Sequence, residues 1–392
     1  MIWRTISLGE ISESVRYGVT ASANFERVGP KFLRITDIQD NTVDWDRVPW
    51  CDCDENVADE SRLQSGDIVF ARTGATTGKS FLVRECPADA VFASYLIRVR
   101  CGPEVDPAYL IQFFKTPDYW AQVFSSARGA AQAGVNASVL KSLRVPLPPL
   151  AVQRRISSVL EAVEHLIAQR RTSMEHLNAL AAAALSKTLE ASPAGEKTLC
   201  VGDVAVVQGG LQVTGARKKH EREIPYLRVA NVYRGYLLMD EVKNIRITDA
   251  ELARTALQRN DVLIVEGHGN PEEVGRCALW DASIEVCTHQ NHLIRVRFDE
   301  SRVLPRFACD YLNSSVGRRH LHRSGKTTSG LNTISVSDVR SAPLVIPSRD
   351  AQAGYLALVD QIDAMRARYL NQLQELDVLY ASLQYRAFRG EL

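Results

Sequence analysis

The sequence predicts an α/β (α+β) chain built as two pseudo-twofold-related units, each followed by a long helix, the two helices pairing as an antiparallel coiled coil. Three observations predict this. The chain is written twice, its one phosphate-loop-like stretch reads as a β-hairpin, and each copy ends in a long helical pattern.

The repeat sets the architecture. "TISLGEISESVRYG" from residue 5 matches "TLCVGDVAVVQGG" from 198, "FLRITDI" (32–38) matches "YLRVANV" (226–232), and "LQSGDIVF" (63–70) matches "LQRNDVLI" (257–264). "LIRVR" stands unchanged at 96–100 and 293–297, and "GVNASVLKSLRVPLP" (134–148) matches "GLNTISVSDVRSAPL" (330–344). The order is kept and the offsets drift by only a few residues, as duplication with loop insertions requires. The expected boundaries are 1–148 for the first unit, 149–192 for its helix, 193–346 for the second unit and 347–392 for the last helix.

"FARTGATTGKSF" (70–81) ends in Gly78-Lys79-Ser80, the close of a phosphate-binding P-loop. A P-loop needs glycine five positions before Gly78 and a helix after it, because backbone N–H groups and a helix N-terminus hold the phosphate. Thr73 holds the glycine position, and the β-favouring run Phe81-Leu82-Val83 follows. Gly78-Lys79 aligns with Gly275-Arg276, across a longer turn in the second copy. A phosphate cradle would not survive the added residues; a hairpin tip carrying one basic residue would.

Each long helix shows an apolar seam stepping by four and three. The first, near 151–190, carries it at 156, 160, 163, 167, 170, 174, 177, 181 and 184, with Arg170 the one break. The second, near 350–388, carries it at 355, 358, 362, 365, 369, 372, 376, 379 and 383, with Gln372 the one break. A sustained seam of this kind predicts a coiled coil, and ~38 residues make a rod of roughly 57 Å. "ASPAGEK" (191–197) links the first rod to the second copy.

Composition sets the limits. With 45% hydrophobic and 24% charged residues the chain reads as an ordinary globular protein. No apolar run predicts a membrane span, and "MIWRTISLGE" has no signal-peptide core. Eight scattered cysteines without a CxxC pair read as free thiols in a reducing cytoplasm. The net charge of +1 hides an acidic stretch at 37–67 and basic bursts "ARKKHER" (216–222) and "GRRHLHRSGK" (317–326). Charge placed in this way suits a protein that meets DNA on one face.

Three phrases resemble one family: "VPLPPLAVQRRISSVLEAVEHLI" (145–167), "GDIVFARTGATTGKS" (66–80) and "LYASLQYRAFRGEL" (379–392). With the twofold layout they resemble the specificity (S) subunit of type I restriction–modification enzymes, over essentially the whole chain. The second copy departs from it, reading "VIPSRDAQAGYL" where the first has "PLPPLAVQRRI". The resemblance implies a non-catalytic DNA reader of phage defence. Each unit would be a target recognition domain for one half of a split, asymmetric double-stranded site. The helices would space the halves and dock two methyltransferase (M) subunits, which carry S-adenosylmethionine. Restriction (R) subunits, using ATP and Mg, would join them. No cofactor and no metal is expected on this chain.

Catalytic signatures are missing from the sequence. No Asn-Pro-Pro-Tyr-like tetrad occurs, no glycine-rich cofactor loop opens a helix, and Glu241-Val242-Lys243 has no Pro-Asp pair ahead of it in its unit. DNA contacts are expected at hairpin tips and loops, where Arg and Lys suit guanine or phosphate and Asn and Gln suit adenine. In the first unit these are Arg72, Thr73, Thr76, Lys79, Arg128, Gln132 and Asn136. In the second they are Lys218, Lys219, His268, Arg276, Gln290, Asn291, Arg323, Lys326, Thr327 and Asn332. Arg98, Arg100, Arg295 and Arg297 alternate along strands, facing DNA or forming a plain polar face. Arg154, Arg155, Arg170, Arg366 and Arg368 are expected outward on the rods, toward partners. Two other classes stay open at this level: a nucleotide hydrolase using residues 74–80, and a coiled-coil protein–protein adaptor.

Overall fold

The computed structural model describes residues 3–127, 135–191, 199–328 and 331–392, with backbone only at 127, 326–328 and 331. The chain forms two compact units, one of Met1–Arg171 with Leu370–Leu392 and one of Thr172–Tyr369. The division falls inside both long helices, so each unit contains a portion of each.

The first unit is centred on a four-stranded antiparallel sheet. Its spatial order is Ser12–Tyr17, Leu96–Cys101, Ile68–Ala71, Ser80–Leu82. The second has the same sheet: Ala205–Gly209, Leu293–Phe298, Val262–Val265, Cys277–Leu279. Register matches as well, with Val69 opposite Arg98 and Leu263 opposite Arg295. The strands Ile68–Ala71 and Val262–Val265 are buried along their whole length, which is why they read as unbroken apolar runs rather than alternating ones. A parallel pair recurs too, Phe32–Leu33 with Val91–Phe92 and Arg222–Leu227 with Thr288–His289.

The strand arginines are tied into their own units, Arg98 and Arg295 buried and Arg100 and Arg297 paired at partly exposed places, so the first two form no open polar face. Arg100 forms a two-pronged ion pair with Asp67, whose carboxylate also accepts from the Gln64 N–H. Arg297 and Asp261 repeat this, with Gln258 in place of Gln64. Arg98 donates to the Arg62 carbonyl and Arg295 to that of Ala256, both guanidiniums buried. The central strand is covered on both faces, so its polar residues tie neighbouring chain to the sheet.

Both long helices, Leu150–Glu190 and Arg349–Arg389, have 41 residues. The second begins cleanly despite its lost prolines because one glutamine is kept. Gln153 accepts from the Asp106 N–H and donates to the carbonyls of Glu104 and Pro148. Gln352 accepts from the Leu304 N–H and donates to those of Arg302 and Pro347.

The helices pair antiparallel. In the first unit Ile156 and Leu160, early in the first helix, share a core with Leu383 and Ala387, late in the second. In the second unit Leu185, late in the first helix, packs with Tyr355 and Val359, early in the second. The first seam runs as expected through Ile156, Leu160, Val163, Ile167 and Leu177, all buried. The second holds at Tyr355, Ile362, Tyr369, Leu376 and Leu383, but its alternate positions move by one residue to Val359, Arg366, Leu373 and Tyr380, whereas Leu358, Met365, Gln372 and Leu379 are exposed. The true seam carries polar tips with partners on the facing helix. Arg366 donates to Asn178, and the Tyr380 hydroxyl to Glu164. Arg366 is therefore turned toward the helix pair rather than outward.

Candidate nucleic-acid interface

The 70–81 stretch is a hairpin. Ala71 N–H donates to the Lys79 carbonyl and Gly78 N–H to that of Ala71. Val265, Arg276 and Gly275 make the same two bonds, which equates Lys79 with Arg276. Gly78 and Gly275 have φ of 84° and 78°, where a side chain is strained. A strand, Ser80–Leu82, follows the tip where a P-loop needs a helix.

This tip belongs to a loop edge that recurs in both units, laced by main-chain bonds. In the first, Arg72 N–H donates to Tyr95 O, Val135 N–H to Arg72 O, and Ser94 N–H to Val19 O. In the second, Glu266 N–H donates to His292 O, Ile334 N–H to Glu266 O, and Asn291 N–H to Leu211 O. Gly18 and Gly210 make the crossing possible, since a Cβ there would lie 2.1 Å from the Phe92 carbonyl oxygen or 2.3 Å from that of Gln290.

The first edge brings several expected residues together. Arg72 is exposed, its guanidinium 5.0 Å from the centre of the half-exposed Tyr17 ring. Thr73 is exposed beside it, and Thr76 and Lys79 line a cleft of about 930 Å³ with Asp40, Asn41 and Trp120. Asn136 is exposed, but its side-chain oxygen caps the helix Ala137–Ser142 through the Val139 N–H. Arg128 and Gln132 lie outside the described residues.

In the second unit Lys218 and Lys219 are exposed at the end of the 3₁₀ turn Gly215–Lys219. Gln290 and Asn291 sit half-buried in the edge turn, and His268 Nδ1 accepts from the Asn270 N–H. Arg323 is exposed on the helix Arg318–Ser324, and with Arg318, Arg319 and His322 it surrounds a hollow of about 200 Å³. Lys326 and Thr327 lie in the strand Lys326–Thr328, and Asn332 pairs with His268 between strands.

One of these assignments and one sequence match are corrected by the geometry. Arg276 is only 6% exposed. Its guanidinium pairs with Glu273 at 2.6 Å and lies 4.8 Å from the Tyr233 ring, so it braces the hairpin from within. Asn332 is not the counterpart of Asn136. Val135 and Ile334 are the matching residues on the edge, which makes Ser335 the equivalent helix cap. The shared "Gly-x-Asn" is out of register with the fold.

Residues 2–178 match the family described as the type I restriction modification DNA specificity domain. The chain is 25% identical over 357 residues to the StySPI type I specificity subunit of Salmonella potsdam, covering 86% of this chain and 77% of that one. It is 25% identical over 366 residues to the EcoKI specificity subunit of Escherichia coli K12, with the same coverage. Over most of its length the chain resembles type I restriction–modification specificity subunits. Among solved structures, the fold is shared with a chain from a study of assembly and conformational transition in a type I system, at TM-score 0.61 and 17% identity over 100% of this chain and 98% of that one. It is shared also with the type I S subunit from M. genitalium, at TM-score 0.54 and 13% identity over 98% and 96%.

Charge placement decides what each surface can meet. Beside the helices, Glu164 accepts from Lys115, Gln112 and Tyr380. Burial alone would raise its carboxyl, but these three donors hold it below the usual range. In the second unit Arg306 bridges Asp310 and Asp363, and the Tyr355 hydroxyl donates to Asp310. Burial raises the Asp310 carboxyl, against the pull of Arg306. These groups satisfy one another, whereas Arg72, Lys79, Lys218, Lys219 and Arg323 are exposed. Glu266, His292, Tyr17 and Tyr95 also stand on the loop edge, and sequence reasoning missed all four. The signal for Glu266 was its alignment with Arg72 at the end of "LQRNDVLIVE".

Proposed function

We propose that this chain is the DNA-reading subunit of a type I restriction–modification assembly. Each unit reads one half of a split, asymmetric site. One observation carries this reading: the two units share an edge laced by the same main-chain bonds, yet present different side chains on it. A scaffold held by backbone with variable side chains is what two readers of different words need.

The paired helices serve as a spacer and as docking surface for two methyltransferase subunits, and restriction subunits complete the assembly. Arg154, Arg155 and Arg368 are exposed on the helices and suit that docking. Chemistry resides on the partners, with S-adenosylmethionine on the methyltransferase and ATP and Mg on the restriction subunit. The chain itself works in the cytoplasm without cofactor or metal. The test is to express it with its methyltransferase partner and map methylated bases genome-wide. A two-part motif with a fixed gap is expected. Methylation that does not depend on this chain, or a single unbroken motif, would overturn the reading.

A further inference from the structure

Arg72 and Glu266 occupy one and the same place in their units. Each follows the last buried residue of a central strand, Ala71 or Val265. Each gives its N–H to the turn before a neighbouring strand, at Tyr95 or His292, and takes an N–H on its carbonyl, from Val135 or Ile334. The side chains at this place have opposite charge. Arg72 leans over Tyr17. Glu266 is partly exposed, with Oε2 3.5 Å from Nδ1 of His292, the residue in Tyr95's place.

A carboxylate on a DNA-facing edge has few uses. It offers only acceptors, and phosphates repel it. In the major groove the available donors are the exocyclic amino groups of cytosine and adenine, while O6 and N7 of guanine suit arginine. Resting on the DNA-reading function above, we propose that Glu266, oriented by His292, is a specificity residue of the second unit that accepts from a base amino group, and that Arg72 takes guanine at the matching place in the first.

The test is selection from a pool of randomised duplex DNA by the full-length chain, followed by sequencing of what it retains. The native chain enriches two separated words. Glu266→Ala, which removes the acceptor, loses roughly tenfold preference at one letter of one word and leaves the other word intact. Whether that letter is adenine or cytosine identifies the amino group. Arg72→Gln does the converse, at a guanine of the other word. Glu266→Arg shifts the affected letter toward guanine, and it tests the assignment even if the alanine variant folds poorly, since arginine is the native side chain at the matching place. A Glu266→Ala chain that enriches both words with undiminished letters overturns the proposal. A native chain that enriches nothing overturns the DNA reading itself, and this assignment falls with it.

Discussion

Gln153 and Gln352 make the same three hydrogen bonds, one accepted and two donated, at the start of each long helix. Both side chains are fully buried. Replacing Gln352 by alanine strands one N–H and two carbonyls away from water. Each stranded group costs about 1–3 kcal/mol. Gln352→Ala and Gln153→Ala are expected to lower the urea midpoint of the full chain by an amount equivalent to roughly 2–4 kcal/mol, partial hydration relieving the rest. Equilibrium denaturation followed by circular dichroism checks this.

The Arg297–Asp261 pair predicts a larger loss. Asp261 is completely buried and its carboxylate faces the guanidinium at 2.7 Å. Removing one member leaves an unmatched charge inside, which costs about 3–5 kcal/mol. Arg297→Ala is expected to unfold the second unit at markedly lower denaturant. Arg297→Ala with Asp261→Asn should recover part of the loss, as a double-mutant cycle would show.

His289 predicts acid sensitivity. Burial, aided by the neighbouring Arg295, pushes its pKa down from 6.5 to about 4. As pH falls below about 6.5 the unfolded chain takes up a proton that the folded chain refuses. The stability contributed by the neutral ring is therefore full above that value and is lost progressively toward pH 4, on the order of 3 kcal/mol in all. Phe92 holds the same place in the first unit's parallel strand pair. His289→Phe is expected to flatten stability against pH between about 4 and 6.5, measured as thermal midpoints across buffers.

Lys218 and Lys219 predict a salt effect. Both are exposed at the end of their turn. If each neutralises a phosphate, replacing both by alanine weakens DNA binding without changing the preferred sequence. It lowers the slope of log affinity against log salt by up to about 2. Fluorescence anisotropy titrations at several salt concentrations read that slope.

Arg276 predicts the opposite pattern. Its guanidinium is enclosed by Glu273 and Tyr233. Arg276→Ala is expected to lower the thermal midpoint while leaving the enriched DNA letters as they were. Lys79→Ala, at the exposed counterpart, should leave the midpoint nearly unchanged.

The duplication, the hairpin and both helices were legible because each rests on local pattern: repeated phrases, turn glycines and sustained apolar periodicity. Alternate positions of the second seam were misread by one residue because Arg366 and Tyr380 look polar in a sequence, although their partners Asn178 and Glu164 wait on the other helix. Arg98 and Arg295 looked like surface residues because alternation cannot tell a covered strand from an open one. Asn332 was matched to Asn136 on a three-letter likeness that the added residues before Ile334 had shifted out of register. Glu266 was passed over because a search for cations ignores the acid that replaces one.

The lacing of the loop edge by main-chain bonds has an evolutionary consequence. Because those bonds involve no side-chain atom, drift at 72, 95, 266 or 292 leaves folding nearly untouched. If these positions read DNA as proposed, new targets can arise by single substitutions in a frame that stays put.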